Sequence, residues 1–271
     1  MNPSKAKTAP LPDPEILDPI AVARDYLDGK SDLIVVLGPT ASGKTKYAVR
    51  LAKCIMAEGL GNVEIISADS RQVYRGMDIG TGKDLAEYDG IPYHIIDVAD
   101  AGTQYNVFRF QQDFRQAYSD IKSRGCIPIL CGGTGMYINA VTAGYDFKTK
   151  SPLSSEKEKV EAEGLPSKPF FIGTLVSREV RNARIDARLD ARLQEGMVDE
   201  IKGLLDAGVP AEVLLSYGLE YKFVTLFIQG GLSYEQMREQ LATAIHQFAK
   251  RQMTWFRGME RSGCRIHWVE V

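Results

Sequence analysis

The sequence predicts an α/β fold: a doubly wound parallel sheet followed by a mainly helical C-terminal region. Residues 33–38, Leu-Ile-Val-Val-Leu-Gly, form an unbroken apolar run ending in glycine, the pattern of a strand buried on both faces of a parallel sheet. Similar short runs return at 63–67, 92–98, 127–131 and 170–176. Amphipathic stretches of helical spacing, notably 44–57 and 105–124, lie between most of them, and strands alternating with helices build crossover units and hence a parallel sheet.

In chain order, residues 1–19 hold five prolines and mixed charge, with no apolar leader segment and no basic amphipathic pattern, and read as a disordered lead-in. Residues 20–147 make the α/β core. Residues 148–169, rich in Lys, Glu, Ser and Pro, are a surface linker, partly helical, and 170–271 hold a return strand and the helical region that completes the core. Within the latter, one helical stretch runs from Arg178 to about Ala207. Another starts at Ser233 and places Leu241, Ala244, Ile245, Phe248 and Ala249 on one face. Arg265–Val271 closes the chain as a strand.

Composition excludes several classes. No apolar run approaches the roughly 18–20 residues of a membrane span, so the expected location is the cytoplasm. Cys54, Cys126, Cys131 and Cys264 lack metal-ligand spacing and read as reduced thiols. The net charge of −2 gives no global attraction to polyanions, so any nucleic-acid contact needs a local basic surface. Lys250, Arg251, Arg257, Arg261 and Arg265 form one such cluster, equally readable as a solvated helix face. Trp255 and Phe256 beside it read as core anchors.

The first strand runs directly into Gly38-Pro39-Thr40-Ala41-Ser42-Gly43-Lys44-Thr45, which satisfies GxxxxGK[ST] in its strand-loop-helix context. The sheet is thus P-loop NTPase-like. Loop and helix amides would wrap an oxyanion, Lys44 adds positive charge and Thr45 can ligate Mg²⁺. A P-loop identifies a polyphosphate without saying which bond breaks.

Two further loops leave carboxyl ends of strands, where doubly wound sheets place their sites. After the second strand comes Ser67-Ala68-Asp69-Ser70-Arg71-Gln72, in which Asp69 can be a Mg²⁺ ligand, a general base or a helix N-cap. After the fourth comes Gly132-Gly133-Thr134-Gly135-Met136-Tyr137, suited to close backbone approach to a ligand, with Thr134 either bonding an oxyanion or capping a helix.

These segments together resemble the tRNA dimethylallyltransferase (isopentenyltransferase) family, most specifically through Asp-Ser-Arg-Gln-Val-Tyr-Arg-Gly-Met-Asp-Ile-Gly-Thr at 69–81. Gly90-Ile-Pro-Tyr-His94, Phe108-Arg-Phe-Gln111, Arg184-Ile-Asp-Ala-Arg188 and the run Ala249 to Arg257 extend the match to about 33–145 and 170–258. The resemblance implies that residues 38–45 hold the diphosphate of dimethylallyl diphosphate, with Mg²⁺ on Thr45. It implies that Asp69 is general base on the N6 amine of an adenine, and that Thr134 and Arg184 or Arg188 assist. It also implies that Asp69, Ser70, Arg71 and Gln72, with Lys250 and Arg251, contact the tRNA anticodon stem-loop. The enzyme is read as a monomer.

The chain departs from the family pattern in three places. The helical insertion that grips the anticodon arm is replaced by the short segment 148–169, Gly82-Lys83-Asp84 stands where Ala-Lys-Pro is usual, and Tyr217-Gly-Leu-Glu-Tyr221 stands where Gly-Tyr-Lys-Glu is usual. The missing insertion leaves open an alternative acceptor, free AMP, ADP or ATP. A P-loop small-molecule kinase is the further alternative from the phosphate cradle alone.

Overall fold

The computed structural model describes residues 11–142, 145–146, 151–152 and 164–271. Its centre is a six-stranded sheet of Leu33–Leu37 (β1), Val63–Ser67 (β2), Tyr93–His94 (β3), Ile127–Gly132 (β4), Pro169–Leu175 (β5) and Ile266–Glu270 (β6), ordered β6-β5-β1-β4-β2-β3. Every pairing is parallel. All five residues of β1 are buried, as its continuous apolar run requires of a strand covered on both faces.

Alternation along β1 divides the core. Leu33, Val35 and Leu37 face Phe110, Phe114, Tyr221 and Phe256 on one side, while Ile34 and Val36 face Ala48, Leu51 and Ile55 on the other. The second face is covered by helices Pro19–Leu27 (α1) and Lys44–Ala57 (α2). The first is covered by Val107–Ser123 (α3), Gly135–Thr142 (α4), Arg178–Gln194 (α5), Met197–Asp206 (α6), Ala211–Ser216 (α7), Leu219–Ile228 (α8) and Tyr234–Arg261 (α9).

Local signals set the helix starts. Asp18 accepts from Ile20 N ahead of Pro19, and Asn106 accepts from Arg109 N at the head of α3. At α9, Ser233 and Gln236 form a reciprocal capping box. The single helix expected from Arg178 to Ala207 is two, because Gly196 at φ 102 turns the chain between α5 and α6.

The strand expected over 92–98 is only two residues long. Ile95 and Asp97 take left-handed φ values of 61 and 57, which end the extended run. Asp97 then pairs with Lys83, whose fully buried ammonium also bonds Asp78 and Tyr74 O and so pins the loop that follows β2. Beyond this point Tyr74–Arg75 pairs with Ala99–Asp100 in a small separate ladder.

Residues 11–18 hold no regular element, but Glu15 N donates to Trp268 O at 2.6 Å, laying this stretch against β6. Most of 148–169, with the partial helix expected there, lies outside the described residues.

Candidate active site

A parallel sheet brings all its carboxyl ends to one edge, and the register sets three of them side by side: Leu37 opposite Gly132, and Ser67 opposite Cys131. The P-loop, the Asp69 loop and the Gly132–Gly135 turn therefore frame one cavity of about 490 Å³, within the range of small-ligand sites. From the P-loop, Thr40, Lys44 and Thr45 line it. Gly38, Pro39, Ala41, Ser42 and Gly43 shape the loop from outside the lining, with left-handed φ at Ala41 (62) and Gly43 (80). Ser42 is committed to structure, its hydroxyl 2.6 Å from that of Thr174.

Asp69, Ser70, Arg71 and Gln72 all line the cavity. Asp69 is no helix cap, since no helix follows; its Oδ1 accepts from Arg71 N at 2.9 Å in a tight local turn. Thr134 does open α4 with its carbonyl, which accepts from Tyr137 N and Ile138 N, yet its hydroxyl turns to the Asp69 loop and accepts from Ser70 N at 3.1 Å. Burial pulls the Lys44 pKa down, while the charge of Asp69 pushes it back up, so the two sense each other across the site. The Cys131 thiol in the same lining is pushed up to about 12 by burial, which leaves it a poor nucleophile.

Helix α9 forms another wall through Ile245, Phe248, Arg251, Gln252 and Trp255, one face at helical spacing. The sequence reads Trp255 as a core anchor, but it is 44% exposed and lines the cavity with Met136 and the 39% exposed Phe248; Phe256 is the buried anchor. Lys250 is exposed and outside the lining, whereas Arg251 belongs to it. The glycine turn after β4 accommodates protein groups: a Cβ on Gly133 would fall 2.5 Å from Gln252 Nε2, and one on Gly135 would fall 2.2 Å from the Trp255 ring.

Of the two arginines, Arg188 lines the cavity. Arg184 lies outside the lining, one turn away beside Gly43 at the head of α2. Sequence reasoning missed Gln252, Arg192 and Glu220. Gln252 bridges the P-loop and the glycine turn, Arg192 follows Arg188 by one helical turn, and Glu220 sits at the start of α8 with a carboxyl that burial pushes up. A lone polar residue in a long amphipathic helix carries no local signal of such contacts.

The fold and site can be set beside known proteins. The family model described as "IPP transferase" matches residues 72–165 and 147–259. This chain belongs to the IPP transferase family. Similar relatives of this family include tRNA dimethylallyltransferase 2 of Porphyromonas gingivalis, 47% identical over 289 residues, covering 88% of this chain and 94% of the relative. Another is tRNA dimethylallyltransferase 1 of Parabacteroides distasonis, 48% identical, covering 89% and 92%. Among solved structures, the full-length tRNA isopentenylpyrophosphate transferase of Bacillus halodurans superposes with a TM-score of 0.73 at 31% identity, covering 88% of this chain and 89% of that one. The P. gingivalis alignment is longer than this entire IPP transferase chain, so that relative carries residues absent here. The two family-model matches overlap at 147–165, almost all of it in the segment 148–169 read from sequence as replacing an insertion.

Among the described residues no group of three or more His, Cys, Asp or Glu could hold a metal, and no helix is long and apolar enough to cross a membrane. A Mg²⁺ ion does not need such a cage. It keeps several waters and binds through one or two protein oxygens plus substrate phosphates, and Thr45, which lines the same cavity as Asp69, fits that demand.

Proposed function

We propose that this chain transfers a dimethylallyl group from dimethylallyl diphosphate to the N6 amine of the adenosine 3′ of the anticodon in tRNA, in the cytoplasm and as a monomer. The observation that carries this reading is the placement of Asp69 in the same cavity as Lys44 and Thr45, in a chain nearly half identical to proteins named tRNA dimethylallyltransferase.

The diphosphate sits on the P-loop, where Lys44 and Arg188 neutralise the charge that grows as it leaves C1 of the allyl group. Bound Mg²⁺, held by Thr45, would add further positive charge to the same oxygens. The adenine amine is a poor nucleophile because its lone pair is delocalised into the ring, so its proton must be accepted as the C–N bond forms. Asp69 accepts it, while the Thr134 hydroxyl steadies the Asp69 loop through Ser70 N. Met136, Leu219, Phe248 and Trp255 supply apolar and aromatic surface for the allyl chain and the purine. Ser70, Arg71 and Gln72 contact the target nucleotide. Arg251 and exposed Lys250 extend the basic face toward the RNA backbone.

The absent insertion favours one competing acceptor, a free adenine nucleotide. Incubation with labelled dimethylallyl diphosphate and either tRNA or AMP decides between them. Label is expected on tRNA, at the adenosine beside the anticodon; label on AMP with none on RNA would overturn the RNA assignment while leaving the transfer chemistry intact.

A further inference from the structure

The cavity lining also includes two arginines one turn apart on α5, Arg188 and Arg192, together with Gly82, Asp84 and Glu220 from the two segments that depart from the family pattern. Arg188 Nη2 donates to Asp84 Oδ2 at 2.7 Å and to Gly82 O at 3.2 Å. Arg192 is treated differently. Its side chain is 11% exposed, and its Nη2 is buried without a hydrogen-bond partner, reaching only 3.7 Å from Asp84 Oδ2.

Residue 82 lacks a side chain, and both guanidinium tips take up the place one would begin in. A Cβ there would fall 1.7 Å from Arg192 Nη2 and 2.4 Å from Arg188 Nη2. Glu220 lines the same cavity, and Arg188 and Arg192 both draw its carboxyl back toward the charged form against the effect of burial. Burial and the neighbouring Arg188 pull the Arg192 pKa down to about 10, so the guanidinium stays charged at neutral pH.

A buried guanidinium nitrogen without an acceptor is unfavourable, and its position in a cavity wall points to an acceptor that arrives with a ligand. The planar fork of an arginine suits phosphate oxygens, which it can bind through two parallel N–H bonds.

We propose that Arg192 and Arg188 together form a second anion-binding wall for the diphosphate of the allylic donor, with Asp84 as their resident counter-ion in the absence of that anion. The inference rests on the donor reading given above and adds to it a substrate-binding residue and a device that balances its charge. Asp84 hydrogen-bonds Arg188 and balances the charge of Arg192 from 3.7 Å while the cavity lacks an anion. An incoming diphosphate competes with Asp84 for the same donors.

Calorimetry with inorganic diphosphate and Mg²⁺, together with thermal melts, tests this without any RNA. Arg192→Gln is expected to weaken diphosphate binding about 10- to 100-fold, the loss of a charge-assisted pair, and Arg192→Lys by less. Asp84→Asn is expected to tighten it several-fold, a gain that misfolding cannot produce. If Arg192→Gln binds diphosphate as well as the unaltered protein while Arg188→Gln does not, or if it weakens only RNA binding, the assignment of Arg192 is overturned and the donor reading stands. An unaltered protein that binds no diphosphate overturns both.

Discussion

Gln252 Oε1 lies 2.8 Å from Thr40 N, tying the last long helix to the P-loop across 212 positions of sequence. Its Nε2 donates to Gly133 O at 2.9 Å, so one buried amide fixes the spacing of two of the three loops that frame the cavity. Replacing Gln252 by Leu leaves Thr40 N and Gly133 O without partners, at a cost of about 2 to 4 kcal/mol. The expected result is a lower midpoint in denaturant together with weaker diphosphate binding by calorimetry. Unchanged binding would show that the P-loop holds its shape without α9.

Asp69→Asn keeps the side-chain oxygen that accepts from Arg71 N and removes only the base. Transfer is expected to fall about 10²- to 10⁴-fold, with the Kd for diphosphate within a few-fold of its starting value. Single-turnover assays read the first and calorimetry the second; an undiminished rate would remove Asp69 from the chemistry.

Glu200 holds the loop behind the site. Its carboxylate accepts from Asp78 N (2.8 Å), Ile79 N (2.7 Å), Gly80 N (3.0 Å) and the buried Tyr221 hydroxyl (2.7 Å). Glu200→Ala strands these donors and is expected to lower stability by about 3 kcal/mol. Amide exchange in 78–84, the stretch carrying Lys83 and Asp84, should quicken more than elsewhere.

Glu64 is the second residue of buried β2, paired with Arg124 at 2.8 Å and with His94 at 2.6 Å. Arg124 first, and then His94, hold its carboxyl down at about 2, against an ordinary 4.5. A depressed acid contributes stability above its unfolded pKa, and that contribution fades as pH falls from 4.5 through about 2. Glu64→Gln is therefore expected to destabilise the protein at pH 7 by roughly 1–2 kcal/mol, less than the full shift because the Arg124 partner is half exposed and screened by solvent. Melts across pH should show the gap to the unaltered protein closing toward pH 2, and a constant gap would contradict the linkage.

Much of this protein was legible locally. A continuous apolar run must be covered on both faces, GxxxxGK[ST] after such a run needs little beyond its own glycines and helix start, and Ser233 with Gln236 closes a capping box within one turn. The local order of residues 69–72 likewise placed Asp69 at a strand end, where the cavity forms.

What only the tertiary structure decided are relations between distant segments. Apolar character alone reads Trp255 as core, because a helix face that lines a ligand cavity and one that packs on a sheet share the same spacing. Left-handed backbone at Ile95 and Asp97 ended a run that composition would have extended. The sequence by itself determined the sheet, the phosphate loop and the acid, since each depends on neighbours a few residues away. Packing chose Gln252, Glu200 and Arg192, because which polar groups meet across a cavity depends on how α5, α6 and α9 close over the carboxyl edge of the sheet.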